Sequence, residues 1–124
     1  MNAGTARIPT IRARRDFLSA TRGKRWVTPS FVLQALQRAD DHPAEPAARV
    51  GYTVTKKMGN AATRNRIKRR LREAVKQVMP RHARPGHDYV LIARETAAAC
   101  TFPELLKDME FAFSRIHANK RLPD

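Results

Sequence analysis

The stretch from Lys56 to Met79, KKMGNAATRNRIKRRLREAVKQVM, limits the possible fold more than any other part of the chain. Nine of the twenty-one residues from Lys56 to Lys76 are Lys or Arg, and one, Glu73, is acidic. Charge of that density suits a disordered tail. Yet Ile67, Leu71, Ala74, Val75 and Val78 recur with the 3.6-residue period of a helix that buries one stripe. At 100° per residue, Asn65, Lys68, Arg69, Arg72 and Lys76 gather roughly opposite that stripe, with Arg66 and Arg70 flanking it. One side docks on a core and the other attracts anions. Gly59 permits a turn into the helix, and Asn60 or Thr63 can cap its first N–H groups. Lys56, Lys57 and Arg64 cluster about that N-terminus, where unpaired N–H groups and the helix dipole already favour phosphate. Pro80 is expected to stop the helix.

A chain of 124 residues is long enough for one domain with one core. Its formal charge of +14, from 25 basic and 11 acidic residues, favours a polyanion, and its 42% hydrophobic content argues against wholesale disorder. Nucleic acid is the expected partner. No apolar run approaches the ~18 residues of a membrane span, and no lipidation motif is present, so no membrane association and a cytoplasmic location are expected. The Arg-rich N-terminus lacks the Ser richness of a transit peptide. Cys100 stands alone without metal-ligand spacing and reads as a small apolar residue.

Residues 1–10 show no periodicity and are expected to be a mobile end. From Ile11 to about Thr21 a short helix should set Ile11, Leu18 and the stem of Arg14 against the body; Phe17 is either a core-edge aromatic or an exposed stacking platform. Arg22–Trp26 reads as a basic turn broken at Gly23, with Trp26 either covering a sheet edge or stacking on a base. Residues 30–37, SFVLQALQ, are ambiguous between strand and helix. Arg38–Ala48 reads as an acidic, proline-rich loop, and Asp40, Asp41 and His42 within it as solvated residues rather than a metal site. Val50, Tyr52 and Val54 alternate with Gly51, Thr53 and Thr55 as a half-buried strand. After a loop over residues 81–86, the short run Tyr89–Ala93 reads as a central strand buried on both faces. Thr101 and Glu104 form a capping box for a last helix with its stripe at Phe102, Leu105, Leu106, Met109, Ala112, Phe113 and Ile116; Phe111 lies off the stripe.

The eleven acids show no paired-carboxylate motif, and His42, His82, His87 and His117 are scattered along the chain as lone, mostly surface residues. No catalytic residue and no metal site is assigned on these patterns, because phosphodiester hydrolysis needs clustered metal ligands, a positioned histidine or an activated nucleophile. Phosphate binding with a few aromatics suits RNA instead.

The run KK-x-GNA-x-x-RNRIKRRLREA, centred on Arg64-Asn65-Arg66, resembles the signature of the bacterial ribonuclease P protein subunit. The resemblance extends more weakly from about Arg12 to about Lys120, so residues 11–120 are expected to be a single RNA-binding domain, with 121–124 a C-terminal tail. It favours a strand over residues 30–37. The implied fold is α+β, a small mixed β-sheet with packed helices in the order α-β-β-α-β-α, ribonuclease P protein-like (ribosomal protein S5 domain 2-like), with a left-handed βαβ crossover. Physics alone would favour the right-handed connection. The implied partners are ribonuclease P RNA and precursor tRNA, with no obligate protein partner, and magnesium held mainly by RNA. On matching positions Lys57, Arg64, Asn65, Arg69 and Arg72 would contact RNA, supported by Lys56, Arg66, Lys68 and Arg70. Phe17 matches an aromatic that lines the family's cleft for the 5′ leader. Thr21 and Gln34 stand where family members often carry further aromatics, and Trp26 is a candidate substitute. A ribosomal-type or DNA-binding basic module without enzymatic role is the alternative, separable by which RNA copurifies.

Overall fold

The computed structural model describes residues 8–38 and 47–118. Its centre is β4 (His87–Ala93), whose uninterrupted apolar run is buried on both faces as expected. β2 (Phe31–Gln37) pairs with it antiparallel on one side, and β3 (Arg49–Thr53) pairs parallel on the other. A fourth strand, β1 (Lys24–Val27), pairs antiparallel with β2, so the sheet order is β1-β2-β4-β3. This corrects the reading of Arg22–Trp26 as a basic turn. The segment is too short and too charged to register as a strand until β2 supplies its hydrogen bonds. Thr28 closes the hairpin, its Oγ1 donating to Phe31 O at 2.9 Å and accepting from Phe31 N at 3.0 Å.

Three α-helices follow β3 and β4. α2 (Ala61–His82) connects the parallel strands, and α3 (Thr96–Ala99) and α4 (Phe102–Ile116) come after β4. Asn60 caps α2, its side chain accepting from Thr63 N at 2.9 Å, which decides between the two possible caps. Gly59 has φ +135°, a conformation strained for any side chain. Pro80 does not end α2, which continues through it to His82. Proline removes one N–H donor, and near a helix end on the exposed side water can satisfy the carbonyl left behind. The capping box at Thr101 and Glu104 is formed, with Leu105, Met109, Ala112, Phe113 and Ile116 buried.

Alternation along the strands sorts the interior into two faces. Val50, Tyr89, Leu91, Phe31, Leu33 and Ala35 face the buried stripes of α2 and α4 and form the main core. The opposite face carries a smaller cluster of Ile11, Ala20 and Val90, with Phe17 and Ile92 packed against it. α1 (Arg14–Ala20) lies on this second face, three residues shorter at its start than expected. Ala20, not Leu18, is its buried residue; Leu18 is 54% exposed and Arg14 is exposed, because the helix presents Phe17 and Ala20 to the sheet. Ile11 precedes the helix in extended chain, donating to Val50 O at 2.8 Å, while Val50 N donates to Pro9 O at 3.0 Å. Residues 8–10 thus lie along the outer edge of β3 instead of forming part of a loose end. Residues 1–7, the loop tip with Asp40, Asp41 and His42, and the tail from 119 fall outside the described residues.

Candidate nucleic-acid interface

Burial of Ile67, Leu71, Ala74, Val75 and Val78 fixes the rotation of α2, and with it the direction of every cation on it. Arg72 holds its guanidinium 5.9 Å from the centre of the Tyr52 ring on β3. Arg64, Lys68 and Arg72, four residues apart, therefore run down the flank nearer β3. Burial pushes the Tyr52 phenol up to about 12 despite the nearby Arg72 charge, so it stays a neutral support for that guanidinium. Asn65, Arg66 and Arg69 are exposed on the outer side. Lys56 and Lys57 stand exposed on a 3-10 turn over Lys56–Met58, just before the Asn60 cap. Arg64 folds back, donating from Nη1 to Gly59 O at 2.7 Å, and braces the turn that carries them. The only acid on α2, Glu73, has Lys76 at 3.9 Å.

Arg70 departs from this group. Its guanidinium donates to the Cys100 carbonyl at the end of α3 and lies 3.7 Å from the Cys100 Sγ. The flank of α2 facing α3 and α4 is an internal contact, continued by Arg81 and His82, both bonded to Glu110 on α4. Arg70 is thus engaged in holding α3 against α2, unlike the exposed cations with which the sequence grouped it. His82, read as a lone surface residue, is likewise engaged.

The second sheet face is organised around Gly51. A Cβ built there would lie 2.6 Å from Phe17 Cε1, so the ring rests directly on the backbone of β3. Register aligns Gly51, Val90, Gln34 and Arg25 in one row and Thr53, Ile92, Val32 and Val27 in the next. Phe17 and Gln34 therefore share a face, with Phe17 half-buried at its rim. Trp26 does not share it: paired with Leu33, it packs against the main core on the opposite face, 6.0 Å from Phe111. It cannot replace an aromatic missing beside Phe17.

A charged network holds α1 in place. Asp88, buried to 2% exposure on β4, accepts from Arg38 Nη1 at 2.7 Å and from Arg49 Nε and Nη2 at 2.8 and 2.7 Å. Arg49 also lies 3.5 Å from Asp16 on α1. Burial alone would raise the Asp88 carboxyl, but the hydrogen bonds and charges of Arg49 and Arg38 outweigh it and hold it below the usual carboxylate value. Beside it on the opposite face of β4, Tyr89 accepts from Arg84 N at 2.9 Å and its hydroxyl lies 2.5 Å from His117 Nε2. Burial, with Arg84, His87 and Lys24 nearby, lowers His117 to about 4, so its ring is neutral at neutral pH. Sequence spacing missed both clusters because β4 alone brings their members together. Among the described residues, no three of His, Cys, Asp or Glu are grouped to hold a metal ion, and no helix is long and apolar enough to cross a membrane.

A mixed four-stranded sheet, a long basic helix with a charged outer side and a second face with an aromatic at its rim define a small α+β protein built to bind nucleic acid. The chain belongs to the ribonuclease P protein family, whose model matches residues 6–117. The ribonuclease P protein component of Ruegeria pomeroyi is 48% identical over 114 residues, covering 91% of this chain and 90% of that protein. That of Caulobacter vibrioides is 44% identical over 115 residues, covering 93% and 75%. Among solved structures, the RNase P protein of Staphylococcus aureus superposes with a TM-score of 0.72 at 27% identity, covering 88% of this chain and 95% of that one. The RNase P protein of Thermotoga maritima, at 24% identity and a TM-score of 0.70 over 90% and 97%, shares the fold. The chain is thus the protein part of a ribonucleoprotein tRNA-processing enzyme, with RNA as its partner.

Proposed function

We propose that the outer side of α2 binds ribonuclease P RNA through its phosphates, and that the sheet face under Phe17 receives the 5′ leader of precursor tRNA. One observation carries this reading: the cations of α2 divide by direction. Arg70 and Arg81 serve the fold, whereas Arg66 and Arg69, like Lys57 on the turn before the helix, are exposed with no carboxylate partner among the described residues. Lys56, Arg64, Asn65, Lys68 and Arg72 extend that surface. Phosphates fix position along such a surface, and an unpaired leader base can stack on Phe17.

In this reading the cleavage chemistry belongs to the RNA subunit. Asp88, the buried carboxylate among the described residues, is occupied by Arg38 and Arg49, and the half-exposed Glu110 by Arg81 and His82. These residues do not fit a magnesium site, and magnesium is read as a ligand of the RNA and its substrate. The protein neutralises RNA phosphates and positions precursor tRNA, so less magnesium is needed to offset their repulsion. No obligate protein partner is invoked, and the cytoplasm is the compartment where such an RNA would be met.

The test is single-turnover cleavage of precursor tRNA by protein alone and then with the RNA subunit across a magnesium titration. Addition of protein should move the magnesium midpoint to lower concentration, and protein alone should cleave nothing. Cleavage by RNA-free protein that vanishes on Asp88→Ala or His87→Ala would overturn the assignment of chemistry to RNA. Phe17→Ala should weaken binding of precursor with a leader several nucleotides long by roughly 1 to 3 kcal/mol while leaving mature tRNA unaffected. Equal loss for both RNAs would make Phe17 a core residue only.

A further inference from the structure

The edge of the sheet formed by β1 meets the solvent side of α4, and neither proposed RNA surface uses it. Phe111 is 47% exposed there, packed edge-on against the half-exposed Trp26. The Arg115 guanidinium lies 4.1 Å from the centre of the Phe111 ring and has no carboxylate partner among the described residues. Lys107, Phe111 and Arg115 follow at four-residue spacing along α4. Asp108, also on α4, accepts from Ser30 Oγ at 2.8 Å.

We propose that Trp26, Phe111 and Arg115 form a separate docking surface for an unpaired base of RNA. The face of Phe111 is already covered by Arg115, so the outward side of the guanidinium, supported by the ring beneath it, is the stacking platform. Arginine planes and aromatic rings both stack on unpaired bases with little regard to sequence. Lys107, one turn before Phe111 on α4, supplies a phosphate contact beside it. Charge selects this occupant over a second copy of the chain, since two chains of +14 with cations at this edge repel each other. The proposal rests on RNA being the partner and is independent of where the leader lies, because Trp26 and Phe17 are on opposite faces of the sheet.

Trp26 is the only tryptophan in the chain, so its fluorescence reports on this surface directly. Titration of the intact protein with a bacterial ribonuclease P RNA should change Trp26 emission saturably. Arg115→Gln and Phe111→Ala should each weaken affinity about five- to tenfold, the lower part of the range for base stacking. Arg69→Ala should weaken affinity yet leave the full emission change at saturation, which separates this surface from that of α2. If Phe111→Ala lowers the melting temperature, Arg115→Gln, at an exposed position, decides. Unchanged emission at saturating RNA, or wild-type affinity for Arg115→Gln, would overturn the proposal. So would a protein dimer, seen by sedimentation, that Phe111→Ala dissolves.

Discussion

Arg69 and Arg70 are adjacent in sequence and alike in chemistry, yet the helix turns them to opposite tasks. Arg69→Ala should leave the melting temperature unchanged, weaken RNA binding and flatten the dependence of log K on log salt by about 0.7 to 0.9 per lost phosphate. Arg70→Ala should instead cost about 1 to 2 kcal/mol of stability, because it removes a charged donor from the Cys100 carbonyl, with little effect on the salt slope. Urea unfolding and salt-dependent titrations of the two variants distinguish these outcomes. The helical wheel marks Arg70 as flanking the buried stripe, but what it meets was illegible because α3 is a single turn with no sequence signature. Gly51 is the converse case, a residue without a side chain whose emptiness is occupied. Gly51→Ala must displace the Phe17 ring, at a cost of about 1 to 3 kcal/mol, and should weaken binding of leader-bearing precursor more than that of mature tRNA.

At the scale of elements, the ones the chain announced were those with a long period or a complete local signal. α2, the capped α4, central β4 and half-buried β3 follow from apolar spacing and cap residues, and β2 was resolved only by family likeness. β1 escaped because its four residues gain strand character from β2, and Pro80 misled because one missing donor near a helix end costs little. The charged network between elements was equally invisible, since Asp16, Arg38, Arg49 and Asp88 lie far apart in the chain. Its energetics follow from burial: Asp88→Asn removes the buried charge that Arg38 and Arg49 both bond and should cost about 3 kcal/mol at neutral pH. Because the folded carboxyl holds its proton less tightly than the unfolded one, this contribution is full above the ordinary carboxylate value and lost as pH falls through the lower folded value. Thermal melts of both proteins should therefore converge at strongly acid pH, and a difference that persists there would count against the network.

For the whole molecule, stability should also respond to a milder pH change. The unfolded chain protonates His117 near 6.5, whereas the folded chain resists until about 4, so between those values the unfolded state binds the extra proton. Stability falls as pH drops through that window, by on the order of 2 kcal/mol once partial exposure is allowed for. His117→Gln should flatten that segment of a melting-temperature profile. A slope unchanged by the substitution would locate the titration elsewhere. The partition of the molecule into a helix-covered face and a face bearing Phe17 was legible only in part. Alternation in β3 set Gly51 apart from Val50 and Tyr52, but Trp26 could be assigned to a face only once β1 had a register.

The Asp88 network also bears on how freely this chain can change length. Arg38 leaves β2 bonded to Asp88 and to Ala47 O at 2.7 Å, and Arg49 enters β3 on the same carboxylate. The two ends of the intervening segment are thus fastened to one carboxylate outside it. Lengthening such a closed segment costs only about 0.6 kcal/mol per doubling. An insertion between Arg38 and Arg49 should therefore leave the melting temperature nearly unchanged, whereas the same insertion in a variant lacking the Asp88 charge should lower it further.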